Sequence, residues 1–574
     1  MKQLILLLLI LSKLPLFIHA QAIKRFDVVI DELMADPIPP VSLPGKEWLE
    51  LKNTSLTTIN LSGWRIGKTG IQSGPMPNYN LQRDSFVIVC TGSAVAAMSA
   101  YGRVISVTGF PSLNNTGDII YLKSPQNKII HAVQYSNEWY QNDLKKKGGW
   151  TLEMIDTKNP CSGMSNWKAS IDPKGGTPGK KNSVDASNPD QTAPQLVRAF
   201  ATDSVNITLV FDEPLDSIKG ANHGNYTISD GIGSPQKAIT VPPIFDKVNL
   251  KLNMFLLRNN VYTVTATGVS DCAGNSIGTK NTAKLGLSST ADSLDLVINE
   301  ILFNPPPSGT DFVEIYNRSN KIIDLQQLFI AHRNSSNMIT NIKQLSADNY
   351  LLFPQDYIVI TADPDIIRGQ FVTKNMDAFV KVTPMPSYNS DKGDVIILNG
   401  QGKIIDELKY HDNWHFKLLD NHQGVSLERI DPNAPTQQPD NWHSAATSVG
   451  YGTPTYKNSQ YKTGEEPAGT ITVVPGIVSP DNDGMDDFAT ISYGFPEPGY
   501  VANITIFDAA GRVVRYLQRN ALCGNQGNYR WDGLGEKNQK LPVGIYIIYT
   551  EVFNLKGRKK QFKNTIVLAR KNNN

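Results

Sequence analysis

Cysteine is scarce in this chain. Four in 574 residues cannot form the disulfide framework that replaces a hydrophobic core in small secreted domains. Charge is scarce too. Asp, Glu, Lys and Arg make up 19% of the residues, below the roughly 25% of ordinary soluble proteins. The signs nearly cancel, at a net +2. Phosphate binding needs a basic excess or stripe, so nucleic acid is excluded as the main partner. Beyond the N-terminus no segment approaches the ~18 consecutive apolar residues of a membrane-spanning helix. No Gly-rich phosphate loop follows a strand and opens a helix. Ser, Cys and His residues that might combine as nucleophile and base lie far apart, in different domains. Asn, Ser, Thr, Gly and Pro fill the space, a composition suited to strands joined by many turns.

The first residues have their own pattern. Lys2 precedes the apolar run Leu4 to Ile10, and small residues gather near Ala20 and Ala22. This is the layout of a secretory signal peptide over 1–20. Lys13 and Pro15 interrupt it too early for a membrane span. Cleavage removes Lys2 and Lys13 from 55 basic residues, which then match the 53 acidic ones. The expected product is exported, and is cell-surface, outer-membrane-associated or extracellular.

What the chain has in abundance is itself, twice. Val29-Ile30-Asp31-Glu32-Leu33 returns as Val297-Ile298-Asn299-Glu300-Ile301, and Trp48-Leu49-Glu50-Leu51-Lys52-Asn53 as Phe312-Val313-Glu314-Ile315-Tyr316-Asn317. Gly117-Asp118, Leu152-Glu153, Asn166-Trp167 and Gly176-Thr177-Pro178 also recur, as Gly393-Asp394, Leu427-Glu428, Asn441-Trp442 and Gly452-Thr453-Pro454. Short alternating runs separated by Gly, Pro and Asn clusters predict strands throughout, with a short helix at Ser93–Tyr101. The repeats span 24–183 and 294–459. Between them, β-domain 193–289 follows the polar linker Ser183–Thr192. A last β-domain covers 470–571 after a second linker, Ser459–Gly469. The expected fold is all-β: four tandem Ig-like β-sandwich domains in an elongated arrangement.

On Ile30-Asp31-Glu32-Leu33, Glu47-Trp48-Leu49-Glu50-Leu51 and Leu61-Ser62-Gly63-Trp64, the repeat resembles the lamin-tail domain. The second copy departs at Leu325-Gln326-Gln327-Leu328. The resemblance implies an Ig-like sandwich without catalytic residues, of a kind that accompanies bacterial hydrolases and surface proteins. Residues 193–289 resemble a bacterial Ig-like domain, on Phe211-Asp212-Glu213-Pro214-Leu215 and Gly268-Val269-Ser270-Asp271-Cys272-Ala273-Gly274-Asn275. The last domain is similar to the Ig-like domain of flagellar hook-capping proteins, on Ser479-Pro480-Asp481-Asn482-Asp483-Gly484, Trp531-Asp532-Gly533 and Gly544-Ile545-Tyr546. That similarity implies a secreted protein of Bacteroidota type, with a terminal domain that resembles a type IX sorting signal.

Candidate chemistry is sparse. Asp481, Asp483, Asp486 and Asp487 surround Gly484 at a spacing that suits structural Ca²⁺; a turn closed by Asx hydrogen bonds is the alternative. His411, Asp412, His415 and His422 could bind a transition metal, but the first copy has Ser136, Asn137 and Tyr140 at the first three positions. Glu32, Glu50, Glu300 and Glu314 recur on central strands. Paired carboxylates can be an acid/base pair, yet their presence in both copies favours a role in the fold. Asp118 and Asp394 read as turn carboxylates. Trp139 and Trp414 recur on a loop, either as core or as exposed binding platforms. Cys90 and Cys161 are replaced together, by Thr361 and Thr436, as a disulfide pair would be, with two separate buried thiols as the alternative; Cys272 and Cys523 read as buried small residues. No cofactor besides structural calcium is expected. The reading is therefore a non-catalytic secreted or cell-surface scaffold, in its finer form an accessory subunit of an outer-membrane assembly, that meets envelope proteins or extracellular glycans. The alternatives are a carbohydrate-binding adhesin or an accessory protein of an extracellular hydrolase.

Overall fold

The computed structural model describes residues 23–461 and 469–570. The leader predicted over 1–20 and most of the linker Ser459–Gly469 lie outside the described residues. Among those residues no helix is long and apolar enough to cross a membrane. Strands dominate, arranged as tandem Ig-like sandwiches.

The first repeat pairs two sheets. Six strands run in the order Trp167–Ala169, Leu152–Met154, Val28–Met34, Trp48–Asn53, Phe86–Cys90 and Val104–Ser106. Four more run Ile129–Ser136, Gly117–Lys123, Arg65–Lys68 and Ile71–Gln72. Every residue of Val28–Met34 is buried, so this strand is covered on both faces. One face meets the sandwich core around Trp64, Ile120 and Trp167. Part of the other lies beneath the short helix Val95–Met98, where Met34, Trp48, Ile88, Cys90 and Met98 pack together. The second repeat has the corresponding strands Leu296–Leu302, Phe312–Asn317, Tyr357–Thr361, Leu427–Arg429 and Trp442–Ser444. Its helix, Pro364–Gln370, starts with Asp363 as N-cap and Pro364 in the first turn, both favourable there.

Residues 196–285 form a four-stranded sheet and a three-stranded sheet. Residues 470–568 form a three-stranded sheet against a five-stranded one, with Trp531 and Tyr546 in the core.

The chain divides into two compact units. One comprises the first repeat with the Ig-like domain after it; the other comprises the second repeat with the terminal domain. In the first unit the two domains are bonded covalently, by Cys161–Cys272 with Cα atoms 6.4 Å apart. Arg25 reinforces the junction, with its guanidinium over Phe245 and a hydrogen bond to the carbonyl of Leu215. In the second unit Phe416, Val501 and Leu522 pack together, and Ser448 bonds the Tyr493 hydroxyl at 2.7 Å.

The disulfide corrects the pairing of Cys90 with Cys161. Cys90 is a free buried thiol, opposite Trp48 in the sheet and beneath the helix. Cys161 sits on the loop that faces the next domain. The two threonines of the second copy have separate uses: Thr361 donates to the carbonyl of Asp311, and Thr436 to Asp406. Their joint replacement did not reflect a bond.

Candidate functional site

The recurring glutamates are structural. In each copy three of them meet on the central strands. Glu32 stands opposite both Glu50 and Glu153, and Glu300 opposite both Glu314 and Glu428. All six are fully buried. They are covered by the tail of the repeat, Gly176–Ser183 in the first copy and Gly452–Ser459 in the second. Thr177 N–H donates to Glu32 at 2.7 Å, its hydroxyl to Glu153 at 2.9 Å, and Gly179 N–H to Glu50 at 2.5 Å. Thr453 N–H donates to Glu300 at 2.8 Å, and Thr455 N–H to Glu314 at 2.5 Å. The tail ends in an asparagine clamp: the Asn182 amide bonds the carbonyls of Asp31 and Met154, and the Asn458 amide those of Asn299 and Arg429. The strap is thus written in the shared sequence Gly-Thr-Pro-x-x-Lys-Asn-Ser.

Burial without a neighbouring cation favours the neutral acids. It raises Glu32, Glu50, Glu314 and Glu428, and lifts Glu300 to about 8. Hydrogen-bond counting agrees. The Thr453 hydroxyl lies 3.1 Å from Glu300 and 2.8 Å from Glu428 but has one proton to give. The carboxyl groups supply the rest. Closed under the strap, the six glutamates cannot reach a substrate in this conformation.

A second recurring position changes residue and keeps its job. Both central strands carry a bulge, between Ile30 and Glu32 and between Ile298 and Glu300. Ile30 N–H donates to His131 Nδ1 at 2.9 Å, and Ile298 N–H to Asp406 at 2.8 Å. Burial holds His131 down at about 4, so it is neutral and accepts. Asp406 is matched by Arg429, which is fully buried. Asp118 and Asp394 are used locally as well: Asp118 pairs with Lys68 at 2.9 Å, and Asp394 accepts Arg333 N–H.

The histidine group does not assemble. His411 caps the turn Asp412–Trp414 and lies 2.6 Å from Asp412. His415 is buried, and its ring stacks on His422 at 4.7 Å between centroids. Among the described residues no cluster of three potential metal ligands includes them. The acidic loop assembles in part. Asp481, Asp483 and Asp487 bring carboxylate oxygens within 4.8 Å of one another, without Asp486. Asp487 accepts N–H bonds from Asp481, Asn482 and Gly484. These bonds already close the turn, and the three carboxylates are oxygen ligands of the type Ca²⁺ takes. A second carboxylate group, Asp190, Glu213 and Asp271, was missed in the sequence because its members come from a linker and two separate turns. Burial and the two neighbouring carboxylates push Glu213 up to about 8.

The tryptophans lead to open space. Trp139 and Trp414 are each half-buried, with one part against the core. Trp139 lies 6.1 Å from Trp167, and both line a groove of about 370 Å³. Its far wall is the next domain, at Asp212–Pro214, Ile244 and Asp246. Trp414 and Trp442, the equivalent pair, line a groove of about 620 Å³ whose far wall is Glu497–Gly499 and Asn554–Lys556 of the terminal domain. In each unit, then, the retained tryptophans open on the seam between a repeat and the domain after it. Both volumes fall in the range of small-ligand sites.

No curated protein sequence matches this chain. Among solved structures, it resembles the N-terminal part of the bacterial S-layer protein SbsC at 16% identity and a TM-score of 0.16, covering 29% of this chain and 45% of that one. A DUF4876 family protein from Bacteroides thetaiotaomicron matches at 12% identity and a TM-score of 0.18, over 33% of this chain and 78% of that one. The tetra-tandem repeat in the extending region of a large adhesion protein matches at 12% and 0.13, over 94% and 98%. The chain thus spans less than half of the first of these structures. Residues 21–137 and 289–412, together less than half of the chain and one segment in each repeat, match the model of the Lamin Tail Domain.

Proposed function

We propose that the chain is a non-catalytic extracellular or cell-surface scaffold that binds through two paired modules, each a lamin-tail repeat with an Ig-like partner. One observation carries this reading. The carboxylates that recur as an acid/base pair would are consumed by the strap, whereas the tryptophans that recur open on grooves. The finer role we assign is an accessory subunit of an outer-membrane assembly. Calcium at Asp481, Asp483 and Asp487 would be structural in this reading, stapling the start of the terminal domain. Affinity isolation of the intact protein from its native envelope, followed by mass spectrometry, tests the assignment. The expected result is recovery with envelope proteins in fixed proportion. Recovery only from the medium, alone, would contradict it.

A further inference from the structure

The groove of the second unit has an unusual balance of chemistry. Its aromatic floor is the half-buried Trp414, with Trp442 buried behind it at 3% exposure. Its charged lining cancels, with Lys417 and Lys556 against Asp440 and Glu497. Most of that charge is already engaged. Glu497 takes Lys556 at 2.8 Å, Arg558 at 3.1 Å and the Asn554 amide at 3.2 Å, while Lys417 caps the Asn413 carbonyl at 2.7 Å. The groove has no concentrated charge with which to select an ion.

It does have an unspent hydrogen-bonding group. His415 lines the groove at 2% exposure, and its Nε2 has no partner. Ser444 Oγ accepts the N–H of Phe416 at 2.9 Å and lies 2.9 Å from His415 Nδ1. The hydroxyl can donate to Nδ1, and in that tautomer the imidazole proton stands on Nε2. Burial holds His415 at about 3 and lowers His443 as well, so both rings are neutral. A buried donor without an acceptor is unfavourable, and a bound hydroxyl oxygen would remove that cost.

We infer that the groove lined by Trp414, His415 and Trp442 binds a neutral saccharide chain. A sugar ring presents an apolar C–H face to an indole and hydroxyl groups around its edge. That combination meets an aromatic floor, a neutral N–H donor and a charge-balanced rim. An anionic ligand finds no surplus cation there, and a purely apolar one would leave His415 Nε2 unpaired. The groove of the first unit repeats the half-buried tryptophan only: Trp139 lies over the buried Trp167, beside Gln134 and Ser136, while its charged lining residues, Asp212, Glu213 and Asp246, are all acidic. The inference deepens the binding role proposed above by naming a ligand class for the groove; the envelope-partner assignment does not depend on it.

The test uses the intact chain and a panel of neutral oligosaccharides (cello-, laminari-, malto-, xylo- and manno-series), read by calorimetry and tryptophan emission. At least one series should bind. Trp414→Ala should weaken it about tenfold, the share of one aromatic contact, and Trp414→Phe less than about threefold. Asn413→Ala, at the exposed rim, should weaken it measurably without moving the melting temperature, which keeps the test valid if Trp414→Ala unfolds the domain. Lys392→Met, exposed and outside the groove, should leave it unchanged. Failure of every series to bind, affinity indifferent to both Trp414→Ala and Asn413→Ala, or displacement only by acidic polysaccharides or apolar peptides would overturn the inference. None of these results would alter capture of an envelope partner, so the two proposals fail separately.

Discussion

Glu300 shows how much of this protein is decided at single residues. Its ordinary value is near 4.5, and burial lifts it to about 8. A folded-state value above the unfolded one stabilises the fold fully below about 4.5, and that stability is lost as pH rises through about 8. Glu32, Glu50, Glu314 and Glu428 shift in the same direction. The melting temperature should therefore fall between pH 5 and about 9, and Glu300→Gln should flatten that fall for the second unit. A melting temperature that rises over this window would contradict the neutral-acid description. Cysteine gives a second test. The Cys90 thiol is buried and pushed up to about 11, so it should resist thiol reagents until the protein unfolds. Cys161→Ser should cost about 2–4 kcal/mol, seen as a lower melting temperature for the first unit, while Cys90→Ser leaves the domain junction intact.

Among elements, the strap and the bulge caps do what the sequence pattern alone could not reveal. The recurrence of Glu32 and Glu50 was legible as fold rather than chemistry, because both copies keep them; Glu153 was visible only as a recurring Leu-Glu pair. The partner was not legible, since Thr177 lies 145 residues from Glu32 and no local periodicity links them. The repeated Gly-Thr-Pro-x-x-Lys-Asn-Ser was the available signal. Thr453→Val should remove a donor from two buried acids, at a cost of about 1–3 kcal/mol, visible as faster hydrogen exchange in Leu296–Leu302. At the bulge, the two copies use different solutions at matched positions: His131 with Met154, and Asp406 with Arg429. Asp406→Asn leaves the buried guanidinium uncompensated and should cost about 3–5 kcal/mol. Importing the first copy's pair, Asp406→His with Arg429→Met, should recover most of that loss in denaturant unfolding. The two-His spacing at His411 and His415, already set against its absence from the first copy, makes no ligand pair: one side chain caps a turn and the other is buried on Ser444.

Across the whole molecule, four β-domains resolve into two units, each a repeat whose first part matches the Lamin Tail Domain, with an Ig-like partner. The strands and the duplication were readable because alternation and turn residues report local structure directly. The joints were not, because they are made by residues with no periodic signal: Cys161 with Cys272, Arg25 on Phe245, and Phe416 against Val501 and Leu522. Trp139 and Trp414 were singled out in the sequence, but the grooves they line need a wall from the following domain. The central claim is that these seams are where the protein binds. Hydrogen exchange of the intact chain, with and without extract of its native envelope, tests it most directly. Slowed exchange is expected in the segments that hold Trp139 and Trp167, and in those that hold Trp414 and Trp442. Protection confined to other surfaces, or none at all, would contradict it.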